Sequence, residues 1–451
     1  MYVQLYLKML ISSANNRQCL ETMSTQIFNI ISDDLLLEVL LRLPDFKSII
    51  DCACVCKHWF SLIYCSRLYF SGRFNHYHRQ KRLNNSPDSP LPFALFFIAS
   101  FLPDYSFSLA YFSPRSTILD YGLTPSLKFL PSRDVKSDRV DICSSFEDLL
   151  LVELLYPDRS GLCFYVCNPF LRHYILLPWC SNIYRYYSRR FLVVSNTSNN
   201  LMISYKVVII SAAGRVFDRI SESLPDLDIF SSETGQWSHS TFDFPKEALT
   251  KCSSRSTIIG SNGIVYLPYG SSNKNEGIVS LNICSKRYRL IGLPKEELGR
   301  DWRCLDSRVH IGVVRGKVRL AQFYSYKKKE CFVFKAWELI DGGDNDDDET
   351  YSWNLVHNHY HMTMRFDCPM SFFCLVALHP DDGDVFFFSR SNNRIKDNIE
   401  IFQCRILGQN YNHIEILCRL PSKVCATNLR VIPLLHPWWP SQISSQILSV
   451  I

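Results

Sequence analysis

From Ser32 onward the chain carries apolar residues at helical spacing. Leu36, Val39, Leu40 and Leu43 recur three and four positions apart, and Pro44 ends the run. Ser32 offers a side-chain oxygen to cap the first turn, and Asp33 and Asp34 put negative charge where the helix dipole favours it. Past Pro44 the pattern predicts a second short helix carrying Ile49 and Ile50. A third sets Cys52, Cys56, Trp59 and Ile63 on one face, with Val55 and Leu62 beside it. Three helices in so short a stretch bury little surface, so an apolar face is expected to remain for a partner.

From about Pro92 the period shortens. Short runs rich in Val, Ile, Phe and Tyr alternate with Gly, Asn, Ser, Asp and Pro, which predicts many short strands. The clearest are Leu149–Leu155, Gly161–Cys167, Tyr205–Ile210, Gly263–Leu267, Gly277–Ile283, Val309–Val314, Cys331–Leu339 and Asp384–Ser389. Three stretches repeat one theme. Tyr165-Val166-Cys167-Asn168-Pro169 leads through Arg172 and Tyr174 to Leu177-Pro178. Asp228-Ile229-Phe230 leads through Ser232-Glu233-Thr234-Gly235 and Trp237 to Phe244-Pro245. Val279-Ser280-Leu281-Asn282 leads through Lys286, Arg287 and Tyr288 to Leu293-Pro294. Each unit reads as a strand, a polar turn, an aromatic on the return strand and a proline exit, which is the logic of a hairpin. The exits at Pro178, Pro245 and Pro294 leave room for four strands apiece, which favours a β-propeller over a sandwich. Trp237 is expected to face the core between sheets.

The fold class that follows is α+β and multidomain: a small three-helix unit over residues 27–70, then a mainly β domain over 92–440. Residues 1–26 show no sustained period and read as a flexible tail, with Met23 an alternative start. Residues 71–91 read as a linker. Arg73, Arg79, Lys81 and Arg82 lie there, and Asn84–Pro92 is a run of turn formers. Such a basic stretch is most simply a solvated face.

Composition narrows the function. With 47% apolar residues the 451-residue chain can build a large core. Lys+Arg 49 against Asp+Glu 43 leaves +6, too mild and dispersed to argue for nucleic acid. Eighteen cysteines are scattered without a CxxC pair, as reduced thiols of the cytosol or nucleus would be. Val3–Ile11 is short, is interrupted by Lys8 and has no cleavage site after it. Leu91–Phe112 holds Pro92, Pro103 and Asp104 and is a poor membrane span. A soluble chain of cytoplasm or nucleus, binding neither nucleic acid nor membrane, is expected.

Candidate chemistry is sparse. His357-x-His359-x-His361 would bring three imidazoles to one face of a strand, yet adjacent positions are far apart for one tetrahedral ion. A polar strand edge is the simpler reading. Cys52, Cys54 and Cys56 lie two apart within a helix and point to different sides. Asp341–Glu349 matches a calcium loop in charge but not in ligand spacing, and Lys327-Lys328-Lys329 reads as a hairpin tip. No GxSxG, P-loop, HExxH or GxGxxG occurs. No cofactor, metal or catalytic residue is expected.

The series Asp33-Asp34-Leu35-Leu36, Glu38-Val39-Leu40, Arg42-Leu43-Pro44, Lys47-Ser48-Ile49-Ile50 and Val55-Cys56-Lys57-x-Trp59-x-Ser61-Leu62-Ile63 resembles a plant-type F-box. That family opens on Leu-Pro where this chain has Ile31-Ser32. Downstream, Tyr205–Val208, the IFSSETGQW of residues 229–237, Asn262–Tyr266 and Phe334–Leu339 resemble the F-box-associated domain of plants, over roughly residues 92–421. That family often has Gly-Leu near position 147. This chain has Glu147-Asp148, which points to a divergent surface. The resemblance implies a substrate-recognition subunit of a Skp–cullin–F-box ubiquitin ligase, docking the adaptor and through it cullin, and holding a target protein on its β domain. It implies adaptor-binding roles for Ile31, Ser32, Leu36, Leu40, Leu43, Pro44, Val55 and Trp59. Two other readings stay open: a β-propeller enzyme with a helical cap, and an F-box protein that binds targets without ubiquitylation.

Overall fold

A computed structural model of the chain describes residues 32–44, 46–64, 67–84, 93–101, 105–112, 122–125, 127–131, 139–146, 148–155, 162–180, 188–195, 204–211, 215–216, 219–220, 226–241, 258–259, 264–271, 274–294, 309–326, 331–340, 351–362, 372–391, 399–408, 412–420 and 429–435. The first two ranges and the third are helical. Helices α1 (Asp33–Leu41), α2 (Phe46–Ala53), α3 (Lys57–Tyr64) and α4 (Arg67–Asn84) enclose one core of Leu36, Leu40, Leu41, Phe46, Ile49, Ala53, Ile63, Phe70 and Phe74.

Two expectations change here. Cys52 belongs to α2, and α3 begins only at Lys57. The helical unit also has a fourth member. α4 crosses the boundary expected at residue 70 and continues to Asn84, through much of the expected linker. Phe70 and Phe74, four apart, give it an inward stripe, and its Arg, Lys and Gln residues are good helix formers.

All larger sheets among the described residues are antiparallel and four-stranded. Sheet one orders Leu429–Leu435, Phe93–Phe101, Tyr105–Phe112 and Gly122–Pro125. Sheet two orders Arg139–Phe146, Leu149–Leu155, Leu162–Asn168 and His173–Leu176. Sheet three orders Ser188–Ser195, Ser204–Ser211, Asp226–Ser231 and Gln236–Thr241. Sheet four orders Ile258–Ile259, Ile264–Ser271, Lys274–Asn282 and Arg287–Gly292, and sheet five Val309–Val314, Lys317–Tyr326, Cys331–Ile340 and Ser352–Met362. Sheet six orders Phe372–Leu378, Val385–Ser391, Ile399–Ile406 and Asn412–Leu420.

The six sheets close a ring. The leading strand of each touches the leading strand of the next all the way round. Between each neighbouring pair lies one apolar seam, filled by the alternate residues that each sheet turns toward its neighbour. Ala94, Phe96 and Leu434 of sheet one meet Ile142, Leu150 and Tyr165 of sheet two. Phe93, Leu95 and Phe97 meet Phe387, Ile399 and Ile401 of sheet six, which completes the circle. These are the blades of a β-propeller.

Closure is non-local. Leu429–Leu435 pairs with Phe93–Ala99, so the last described strand joins the first blade and leads it. Arg430 then reaches across the seam: Nη1 donates to Asp141 Oδ1 at 3.0 Å and Nη2 to the Ile142 carbonyl at 2.9 Å.

The repeated hairpins predicted from sequence are the last two strands of blades two, three and four. Their turns share one geometry. Asn168 Oδ1 accepts from the amides of Phe170 and Leu171, and Asn282 Oδ1 from those of Cys284 and Ser285. Ser231 Oγ accepts from Glu233 N. Four residues after each capping side chain the backbone turns left-handed, at Arg172, Lys286 and Gly235. In blade two a second contact fixes the turn: Asn168 Nδ2 donates to Asp148 Oδ2 at 2.6 Å. Asp148 is buried, so this half of the departure from Gly-Leu is an internal tie, while Glu147 lies outside the described residues.

Candidate functional site

Among the described residues, the helical unit leaves several large apolar side chains facing solvent. Ser32 starts α1 from an extended conformation, and its Oγ accepts from Leu35 N at 3.4 Å. The helix then turns Leu36 and Leu40 inward, 5% and 1% exposed, while Leu35 and Val39 are 61% and 56% exposed. Leu35 and Val39 are four apart and share one face. Val55, in the turn between α2 and α3, is 57% exposed, and Phe60 on α3 stays partly open and stacks on Tyr64 at 4.6 Å.

Polar ties fix how this surface is held. His58 on α3 donates Nε2–H to Asp33 Oδ1 of α1 at 2.9 Å. Arg73 on α4 donates to Glu38 Oε1 at 2.9 Å, and Arg42 pairs with Glu38 Oε2 at 3.2 Å. α1 is thereby braced on two sides through residues next to its apolar stripe. Cys56 caps α3, its Sγ accepting from Trp59 N at 3.5 Å, so it does not contribute to an inner face.

The sequence-derived docking residues separate into groups. Ser32, Pro44 and Val55 are exposed. Leu36 and Leu40 are core, and Leu43 and Trp59 pack against that core half-buried. Ile31 lies outside the described residues. The outward residues that the expected adaptor-binding set leaves out are Leu35, Val39 and Phe60. In the run Leu35-Leu36-Leu37 composition is uniform, and only the position of the core separates one leucine from the next.

The three-histidine pattern is taken apart by a β-bulge. Phe334 pairs with His359 and Phe332 with Met362, so Tyr360 and His361 together oppose Val333. The side chain of His361 lies outside what the structure describes, while His357 and His359 share one face of the strand. These two meet head-on, His357 Nδ1 lying 3.3 Å from His359 Nε2. Their ring centres are 5.5 Å apart, so about 1.1 Å remains for each ring, roughly the distance from an imidazole centre to its own nitrogen. The nitrogens therefore lie on the line between the rings, as in an N–H···N hydrogen bond. A chelated ion would need both to point at a common place off that line. Among the described residues no cluster of three His, Cys, Asp or Glu side chains has metal-binding geometry. Residues 327–329 and 341–349 lie outside the described residues, but the strands flanking them pair as hairpins, Tyr326 with Cys331 and Ile340 with Ser352.

A family model agrees with the ring of blades. Residues 119–433 match the family model described as "F-box protein At3g26010-like, beta-propeller". A putative F-box/kelch-repeat protein of Arabidopsis thaliana, At4g22430, is 24% identical over 290 residues, which is 63% of this chain and 62% of that protein. The chain thus spans about three-fifths of the curated relative it matches. Among solved structures, an Aleuria aurantia lectin in complex with alpha-methyl-L-fucoside is 11% identical, with a TM-score of 0.33, over 75% of this chain and 99% of that one. Sucrose-6-phosphate hydrolase from Lactobacillus gasseri is 12% identical, with a TM-score of 0.31, over 78% and 84%.

Proposed function

The chain belongs to the family of F-box proteins with an At3g26010-like β-propeller, and from that premise we propose that it is the substrate-recognition subunit of a Skp–cullin–F-box ubiquitin ligase. The observation that carries this reading is the outward stripe of Leu35 and Val39, with Val55 and Phe60 also open to solvent, on a helical unit whose own core is already filled. An apolar stripe of this kind on a short braced helix suits burial against a partner's helices. Ser32, Pro44 and Val55, which are also exposed, complete the adaptor-docking set. The propeller is the target-binding part, and its loops carry the specificity. The receptor performs no bond chemistry. It raises the effective concentration of a target lysine near the conjugating enzyme that the assembled ligase recruits. The reduced cytosol or nucleus is the compartment in which this assembly acts.

The test is reconstitution. The full chain, mixed with a Skp-type adaptor and cullin, is expected to co-elute with both on size exclusion. Absence of a complex with the adaptor would refute the reading. A complex with the adaptor and not with cullin would favour a receptor that binds targets without ubiquitylation.

A further inference from the structure

Blades five and six are joined by more than their apolar seam. His357, on the outer strand of blade five, is nearly buried, and its Nε2 lies 2.9 Å from the Gly383 carbonyl in the first turn of blade six. A carbonyl only accepts, so Nε2 carries the proton and Nδ1 is left facing His359. Arg319 donates to the same carbonyl at 3.2 Å while its other nitrogens hold Glu338 Oε2. Asp384 Oδ1 stands 3.5 Å from His357 Nε2. The same turn is fastened again by Arg315, whose backbone amide donates to the Pro380 carbonyl and whose Nε donates to the Asp381 carbonyl.

The contact between His357 Nδ1 and His359 Nε2 needs one hydrogen and one lone pair. With both rings neutral, His359 donates to His357. One added proton is also tolerated, because a cationic ring on either side still supplies a single hydrogen at the contact. A second added proton places two N–H groups head to head at 3.3 Å.

We propose that His357 and His359 form a one-proton pair, a latch that seats His357 against the 379–384 turn of blade six, and that protonating both rings drives them apart and unseats His357. The charged groups around His357 set the direction. Burial pushes its pKa down, with Arg319 and His359 acting the same way, while Asp384 and the Gly383 carbonyl oppose them. A buried imidazole whose affinity for protons is lowered by folding stabilises the native state fully above the unfolded value near 6.5. That contribution is lost as pH falls below it.

The experiment compares melting of the full chain between pH 7.5 and 5.0 for wild type, His357→Gln, His359→Gln and His413→Gln. Glutamine at 357 keeps a donor for the Gly383 carbonyl and cannot take up a proton. The expected result is a fall of several degrees in wild type, a shallower fall in both latch variants, and a wild-type fall in His413→Gln, which lies exposed on blade six. Equal pH dependence in wild type and in either latch variant overturns the latch.

Discussion

Trp237 gives the sharpest test of how neighbouring blades are held. It stands on the outer strand of blade three, with its ring half-buried against Phe230 at a centre distance of 5.5 Å and against the seam shared with blade two. Its Nε1–H donates to the Pro178 carbonyl at 2.8 Å, at the exit of blade two. Full burial of such a ring makes truncation to alanine cost about 3–5 kcal/mol, and half-burial brings that to about 2 kcal/mol. Loss of the hydrogen bond adds about 1 kcal/mol. Trp237→Ala is therefore expected to lose about 2–3 kcal/mol in urea unfolding followed by circular dichroism, and Trp237→Phe, which keeps most of the ring, about 1 kcal/mol. Adaptor binding should be unchanged in both, since the helical unit has its own core. A Trp237→Ala variant within about 0.5 kcal/mol of wild type would make the ring a surface feature and refute the reasoning. So would a Trp237→Phe variant as unstable as the alanine. Trp353 repeats the arrangement between blades five and four, donating to the Gly292 carbonyl at 2.7 Å.

Two further outcomes follow from contacts at the seams. Arg430→Ala removes two charge-assisted hydrogen bonds from the closing strand and is expected to cost about 2–3 kcal/mol by the same unfolding assay, with Arg430→Lys in between because lysine cannot reach both acceptors. A Cβ at Gly383 collides with the Arg319 guanidinium that holds Glu338, whereas one at Gly292 meets open space, so Gly383→Ala should lower the melting temperature and Gly292→Ala should leave it unchanged or raise it slightly.

The hairpins at the outer side of blades two to four were legible because their chemistry is local. An Asn or Ser at the turn start, a left-handed residue four positions on and an aromatic on the return strand all fall within one short window. The blade count was not legible. The leading strand of blade four is only Ile258–Ile259, too short to show a period, and blade one is completed by Leu429–Leu435 from the far end of the chain. α4 was hidden by composition, since Arg, Lys, His and Asn mask the inward stripe that carries Phe70 and Phe74. The candidate docking face was half legible. Ser32 as a cap follows from the sequence alone, but Leu35 and Leu36 differ only in which way the core lies.

The most direct measurement is calorimetric titration of a Skp-type adaptor into the full chain and into Leu35→Asp/Val39→Asp. Both positions are open to solvent, so the double variant should melt like wild type, while charge in the apolar stripe should weaken adaptor affinity at least tenfold, about 1.4 kcal/mol. Unchanged affinity in a folded double variant would contradict adaptor docking through this face.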